Sequence, residues 1–322
     1  MKAIVQDGYG PPDLLRLEDV EVPVVEEGGV RLRVRAAGVN PLDWHFVRGA
    51  PYAARIAMGM RRPEVRVRGV DVAGRVEAVG RGVQRLRPGD DVFGVCDGAF
   101  AEYATAREEL LIAKPATMTY EEAAAVPVAA LTALQGLRAG NVRSGQRVLI
   151  NGAAGGVGTF AVQIARSYGA EVTGVCSSRN VELVHALGAE RVIDYTRDDF
   201  TKGDERYDVI LDNVGNHSLS ALRSTLAADG VLVYNSGASM RRIAAAQLLQ
   251  RLGRNVRMFS TKPGHDDLAA IGRLIEGGKL ASVVSETYPL VRTAAAIAHV
   301  EAGHARGKVV VTLTADRTRS PG

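Results

Sequence analysis

Residues 152–158 read Gly-Ala-Ala-Gly-Gly-Val-Gly, follow the apolar run Val148-Leu149-Ile150 and lead straight into a helix-forming stretch, 159–167. A second apolar run, 171–176, comes next and ends in polar residues. Strand, glycine turn, helix and second strand form a βαβ unit, an arrangement that leaves few topologies open to the chain. Glycines at such a turn permit a tight bend and a close backbone approach. The unpaired N–H groups at the helix start then offer an anion site that suits the pyrophosphate of a dinucleotide. Gly152, Ala153, Ala154, Gly155, Gly156, Val157 and Gly158 are therefore expected to hold such a ligand.

The 322 residues suggest two domains. Up to about residue 119, short apolar or alternating runs at 3–6, 30–37, 74–79 and 91–95 are punctuated by Gly and Pro, as in a small barrel of antiparallel strands. From residue 120 the character changes. Helix-like stretches at 121–125 and 129–136 precede strands at 147–151, 171–176, 191–194, 207–213 and 230–236 with helices between them, which predicts a doubly wound parallel sheet over 120–260. A helix at 243–252 and a strand at 256–260 close this domain. Residues 261–315, with a helix at 266–276 and strands at 288–289 and 308–313, read as a return to the first domain, and 316–322 as a frayed tail.

Composition excludes several classes. With 46% hydrophobic and 24% charged residues the chain reads as an ordinary α/β protein, and it contains no apolar stretch of membrane-spanning length. No secretory leader is apparent at the start, so a cytoplasmic setting is expected. The net charge of +4 is too small to imply nucleic acid. Arginines gather at Arg61, Arg62, Arg66 and Arg68 and again at Arg241, Arg242, Arg251, Arg254 and Arg257, without interleaved aromatics, and are read as solvated faces. The two cysteines, Cys96 and Cys176, cannot build a disulfide framework or a structural zinc lobe, and Cys176 reads as a small buried hydrophobe.

Cofactor choice turns on the end of the second strand of the βαβ unit, where an NAD-binding unit carries an acidic residue that accepts bonds from the ribose hydroxyls. Ser177-Ser178-Arg179 stands there instead. Two hydroxyls and a guanidinium would hold a 2′-phosphate with charge-assisted bonds, so NADPH is expected over NADH; a polar turn of no further meaning is the alternative. Tyr195, after the third strand, is a candidate for the adenosine end. Asn213-Val214 and Ser236-Gly237 follow the fourth and fifth strands and should face the same crevice.

Asn40-Pro41-Leu42-Asp43, Gly69-Val70-Asp71-Val72-Ala73-Gly74, Pro88-Gly89-Asp90-Asp91-Val92, Gly98-Ala99-Phe100-Ala101-Glu102-Tyr103, the glycine turn and Gly303-His304-Ala305-Arg306-Gly307-Lys308 occur in one ordered series. Together they resemble the medium-chain dehydrogenase/reductase superfamily, and within it the zinc-independent quinone oxidoreductase branch. The resemblance implies a GroES-like β-rich catalytic domain interrupted by a Rossmann domain, a cofactor in the cleft between them, and a homodimer through the Rossmann edge near 256–260.

The same matching bears on metal. Zinc-dependent members carry Cys where this chain has Asn40, and His-Glu where it has Val70-Asp71, so the three-ligand site is not expected to form. His45, His185, His217, His265, His299 and His304 show no ligand spacing. The resemblance further implies that Asn40 donates its side-chain amide to a substrate oxygen or the cofactor ribose, with Asp43 bracing the helix that follows. It places Thr132 beside the nicotinamide, and puts Phe259, Ser260 and Lys308 in segments closing on that side. Tyr52, in the Gly-, Pro-, Ala- and Met-rich stretch 48–63, is the candidate proton donor. Met58 and Met60 are candidates for an adaptable pocket lining. The expected activity is metal-free, NADPH-dependent hydride transfer to quinones or α,β-unsaturated carbonyl compounds. Two alternatives stay open: an enoyl-thioester or pathway-specific tailoring reductase, and an NADPH-binding redox-sensing scaffold without significant catalysis.

Overall fold

The computed structural model describes residues 1–52, 55–236, 240–303 and 305–313. The chain divides into two compact units, one formed by Met1–Val128, Pro263–Glu276 and the chain from Ser282 onward, the other by Ala129–Lys262 and Gly277–Ala281.

The first unit opens with β1 (Lys2–Val5), β2 (Arg16–Asp19) and β3 (Gly29–Val39), continues through α1 (Pro41–Arg48), α2 (Arg55–Met58), β4 (Asp71–Val79), β5 (Asp91–Val95), β6 (Tyr103–Arg107) and β7 (Leu111–Ala113), and ends this passage with α3 (Tyr120–Ala124). Period-two burial explains the long strand β3: Val30, Leu32 and Val34 point inward while Arg31, Arg33 and Arg35 alternate with them. Its neighbours on both sides are antiparallel. Asn40-Pro41 then starts α1, because proline needs no N–H bond in the first turn. The Asp43 carboxylate accepts the Asn40 backbone N–H at 2.7 Å, bracing the helix start as expected.

Six strands form the core of the second unit. Entering by α4 (Pro127–Ala139), the chain runs through β8 (Arg147–Asn151), α5 (Gly156–Ser167), β9 (Glu171–Cys176), α6 (Val181–Ala186), β10 (Arg191–Asp194), β11 (Tyr207–Asp212), α7 (Leu219–Ser224), β12 (Leu226–Tyr234), α8 (Met240–Arg251) and β13 (Val256–Arg257). All pairings are parallel and the order is β10-β9-β8-β11-β12-β13. The winding reverses between β8 and β11, whose registers bring Asn151 opposite Asp212. Such a reversal opens a crevice at the carboxyl ends of the strands. Val148, Leu149, Ile150, Val209, Ile210 and Leu211 are buried, as central parallel strands require.

The return passage adds α9 (His265–Glu276), β14 (Val284–Pro289), α10 (Thr293–Glu301) and β15 (Lys308–Thr312) to the first unit. Its larger sheet then has seven strands in the order β14-β15-β3-β4-β5-β7, with β6 also on β3, while β1 and β2 pair separately. This is the GroES-like unit combined with a Rossmann-type parallel sheet that the sequence predicts.

Several elements differ from expectation. Residues 120–128 belong with the first unit, because α3 packs on β3 and β4 so closely that a Cβ on Gly38 would lie 2.3 Å from the Ala124 carbonyl oxygen. The strand expected at 256–260 stops at Arg257, since the next amide, Met258 N–H, turns away to the Gln250 side-chain oxygen at 2.6 Å. Residues 277–281 join the second unit, where Gln163 on α5 exchanges two hydrogen bonds with the Ala281 backbone at 2.8 and 2.9 Å. Among the described residues no helix is long and apolar enough to cross a membrane. The tail at 316–322 lies outside the described residues.

Candidate active site

The second unit gathers most of the expected nucleotide-binding residues at one edge. Ser177–Arg179, Tyr195, Asn213–Val214, Ser236 and Phe259–Ser260 each follow the carboxyl end of a strand in the same parallel sheet. Gly237 lies outside the described residues. Gly152 takes φ +83°, which opens the turn. At Gly158 a Cβ would fall 2.0 Å from the Gly152 carbonyl oxygen, so only glycine lets α5 start this close to β8. A Cβ on Gly155 would meet nothing nearer than that oxygen at 3.4 Å. Gly155 is the N-cap of α5 and offers no side-chain acceptor. The N–H groups of the first turn of a twelve-residue helix are thus left for an external anion. That geometry fits a dinucleotide pyrophosphate.

Beneath the turn, two residues that the sequence reading missed bridge the reversal point. Buried Asn151 donates to the Asp212 carboxylate at 2.8 Å and to the Asn216 side-chain oxygen at 2.9 Å. The same Asp212 oxygen accepts the N–H groups of Val214 and Gly215, which shapes the turn after β11. Asn213 is occupied as well, accepting from Asn235 at 2.9 Å and donating to the Asn151 carbonyl, and Ser236 donates to the Val214 carbonyl. These side chains fix the crevice floor, and the available signal was a polar residue closing each apolar strand.

The region expected to choose the cofactor contains a carboxylate after all. β10 lies beside β9 with Asp194 opposite Cys176, so Asp194 reaches the serine turn and accepts a short hydrogen bond from the Ser178 hydroxyl. That hydroxyl, followed by Thr196, holds the Asp194 carboxyl below the usual range, and Arg197 lies 3.5 Å away. Ser177 accepts from Asn180 at 3.2 Å. Tyr195 is exposed. Sequence spacing hid Asp194 because it belongs to the neighbouring strand.

Thr132 sits on α4 with its hydroxyl 2.9 Å from that of Thr261. Gln135, one turn on, exchanges bonds with the backbone of Lys262 at 2.8 and 3.0 Å. The segment after β13 is thereby clamped to α4, and Phe259 packs where Gly136 leaves room.

In the first unit Asn40, Asp71 and Lys308 meet, although they are widely separated in sequence. All three are buried. Asn40 Nδ2 donates to Asp71 Oδ2 at 2.9 Å, and the Lys308 ammonium donates to Asn40 Oδ1, to the Val39 carbonyl at 3.1 Å and to Asp71 at 3.4 Å. The other Asp71 oxygen accepts Val128 N–H at 2.9 Å. Burial pushes the Asp71 carboxyl up, against the pull of Lys308 and Asn40. Asp43 is pushed up to about 7, first by burial, with Asp71 adding to the shift and its own bond from Asn40 opposing it.

Lys308, expected in a segment closing on the nicotinamide side, is held by this group. An ammonium has three donors, and here they meet the Asn40 side-chain oxygen, the Val39 carbonyl and the Asp71 carboxylate. The proton-donor expectation for Tyr52 also meets a different setting. Tyr52 is 77% exposed with the Arg55 guanidinium 4.5 Å from its ring centre, and among the described residues no hydrogen bond ties it to the Asn40 group. Among the described residues no set of three or more His, Cys, Asp or Glu side chains is arranged to hold a metal ion.

Residues 26–116 match the family described as an alcohol dehydrogenase GroES-like domain, and residues 187–311 the family described as a zinc-binding dehydrogenase. A chloroplastic quinone-oxidoreductase homolog of Spinacia oleracea is 32% identical, with 97% of this chain and 98% of the relative covered. An NADPH-dependent alkenal/one oxidoreductase of Arabidopsis thaliana, also chloroplastic, is 34% identical over 97% of this chain and 79% of its own length. The solved structure of the quinone oxidoreductase from Coxiella burnetii superposes with a TM-score of 0.88 at 30% identity, covering 98% of this chain and 99% of that one. Motif series, fold and relatives agree along nearly the whole length, and the chain belongs to the quinone oxidoreductase-like branch of the medium-chain dehydrogenase/reductase family of oxidoreductases.

Proposed function

We propose that the protein is an NADPH-dependent reductase of quinones or α,β-unsaturated carbonyl compounds that works without a catalytic metal. The observation that carries this reading is the buried Asn40–Asp71–Lys308 group, whose Asn40 and Asp71 fall at positions that the family resemblance assigns to the Cys and His-Glu of zinc-dependent members. Its lysine already supplies a positive charge there and would repel a divalent ion.

The cofactor would supply a hydride to an electron-poor double bond. Gly152–Gly158 and the uncapped start of α5 would bind its pyrophosphate, and the floor held by Asn151 and Asp212 would keep the crevice in shape. Thr132 would lie beside the nicotinamide. Asn40, with a side-chain N–H still unused, would donate to the oxygen that gathers charge as the double bond is reduced, or to the ribose. Water or a nearby hydroxyl would return the proton. The exposure of Tyr52 argues against a tyrosine-dependent enoyl-thioester reductase, for which Tyr52→Phe would abolish turnover while sparing NADPH affinity. The assembly would be a cytoplasmic homodimer joined through the sheet edge at β13.

Arg179, with Ser177, would favour the 2′-phosphate, whereas the Asp194 charge beside Ser178 opposes it. Preference for NADPH should therefore be real but incomplete. Arg179→Ala is expected to raise the Kd for NADPH by about tenfold or more with NADH nearly unchanged, consistent with loss of one charge-assisted contact. Asp194→Asn should move the ratio further toward NADPH. Fluorescence titration of both nucleotides measures this, and equal binding of the two that neither substitution changes would remove the cofactor assignment. NADPH oxidation by a panel of quinones and enones tests the activity. Tight nucleotide binding with no turnover on any of them would favour the scaffold alternative.

A further inference from the structure

Lys308 and Asp71 differ in one elementary respect: an ammonium only donates hydrogen bonds, and a carboxylate only accepts them. Asn40 lies between the two and touches both. Its amide has one accepting end and one donating end, so only one of its two rotations satisfies both neighbours. The oxygen must face Lys308 and the NH2 must face Asp71. The opposite rotation would set NH2 against ammonium and oxygen against carboxylate among buried side chains. The backbone of Asn40 is fixed as well, by the Asp43 carboxylate on its N–H and by Pro41 at the helix start.

We infer that Lys308 and Asp71 are positioning residues that lock the Asn40 side-chain amide in one orientation, so that its remaining N–H is a fixed donor for the reaction. The inference rests on the reading that Asn40 meets substrate or cofactor. Gly307 belongs to the device: at φ +72° it turns the chain so that Lys308 N–H bonds to the Val283 carbonyl at 2.8 Å and the ammonium enters the core beneath β3. A side chain at Gly307 would meet that same carbonyl at 2.3 Å. Neither charged residue needs to touch the reacting molecule for this role. Both act through the amide they orient.

The test is a double-mutant cycle on the full chain. Asp71→Asn combined with Lys308→Met removes both charges together, so no bare charge stays buried, and lets the amide take either rotation. This pair of changes is expected to lower kcat for a quinone or enone by roughly tenfold to a hundredfold, the scale at which misplacing a catalytic group is felt. The KM for NADPH should stay within about threefold, since losing a contact made only in the transition state lowers kcat without weakening ground-state binding. Applied to Asn40→Ala, the same pair should cost less than about twofold more, because its effect travels through the missing amide. Equal losses in the presence and absence of Asn40 would overturn the inference.

A second measurement does not depend on turnover. The Asn40 side-chain NH2 should give one dispersed proton pair in the nitrogen-correlated NMR spectrum of the wild type, and should move toward free-amide positions in the Asp71→Asn, Lys308→Met protein. An unchanged signal in that variant, folded by its thermal transition, overturns the orientation claim even if quinones are reduced. Absence of wild-type turnover with a locked amide would instead sink the functional reading alone.

Discussion

Asp43 shows what burial does to a single carboxyl. It binds its proton up to about pH 7 in the fold, whereas an ordinary aspartate releases it near 3.8. Between those values the native state holds more protons than the unfolded chain, so this group's contribution is complete below about pH 4 and is lost as pH rises through 7. The slope approaches 1.4 kcal/mol per pH unit at most. Asp71, Lys308 and Arg68 are the charged groups around it. Asp43→Asn keeps an oxygen for the Asn40 N–H and should flatten the decline, gaining on the wild type at pH 8 relative to pH 5. Thermal unfolding across that range checks this, and parallel curves would acquit Asp43. At this scale the sequence was informative where a residue type was unusual for its place: Asn40 in place of a cysteine, serines in place of an acid. It was silent where a role depends on a neighbour from elsewhere in the chain. Asp71 and Lys308 are 237 residues apart, and Asp194 reaches Ser178 from the neighbouring strand.

Elements were legible in proportion to their apolar contrast. The inner parallel strands β8 and β9 stood out as apolar runs, and their bounds at Arg147–Asn151 and Glu171–Cys176 coincide with the reading, as do those of the edge strand Arg191–Asp194. β14 did not stand out, because Val284–Pro289 is mostly exposed and carries no alternation. α10 was obscured by alanines, with only Thr293, Ala296 and Ile297 buried along it. The glycine turn was fully visible, but its four glycines have different jobs, and two substitutions separate them. Gly158→Ala drives a Cβ to 2.0 Å from one backbone oxygen and 2.8 Å from the Ala153 backbone, none of which can move as a side chain would. A cost of about 1–3 kcal/mol, or failure to fold, is expected. Gly155→Ala meets only ordinary contact at 3.4 Å and should leave the thermal midpoint nearly unchanged while weakening NADPH at the exposed helix start. If both variants melted alike, the turn would be only a packing device.

Each unit has its own apolar core: Leu32, Val72, Phe100 and Val311 belong to one cluster, and Leu149, Ile210, Leu232 and Val256 to another. The chain order that builds the first of them, with β14 and β15 returning after the second unit is complete, was legible as a return to the first domain, but which strands they pair with was not, since pattern marks elements and not their partners. A ligand stabilises whatever opening transition it opposes, by about 2.7 kcal/mol at a hundredfold excess over its Kd. The proposed nucleotide contacts on the second unit cluster at the carboxyl ends of β8 to β12. If that unit opens as a cooperative body of its own, NADPH should slow hydrogen exchange through β8, β9, β11 and β12 by about a hundredfold, the rate equivalent of that energy. Amides of β3, β4 and β5, whose core is separate, should change by less than about threefold. Exchange measured by mass spectrometry at the two nucleotide levels resolves the strands. Equal slowing in both sheets would mean that the units open together, and slowing confined to β3, β4 and β5 would place the nucleotide on the wrong unit altogether.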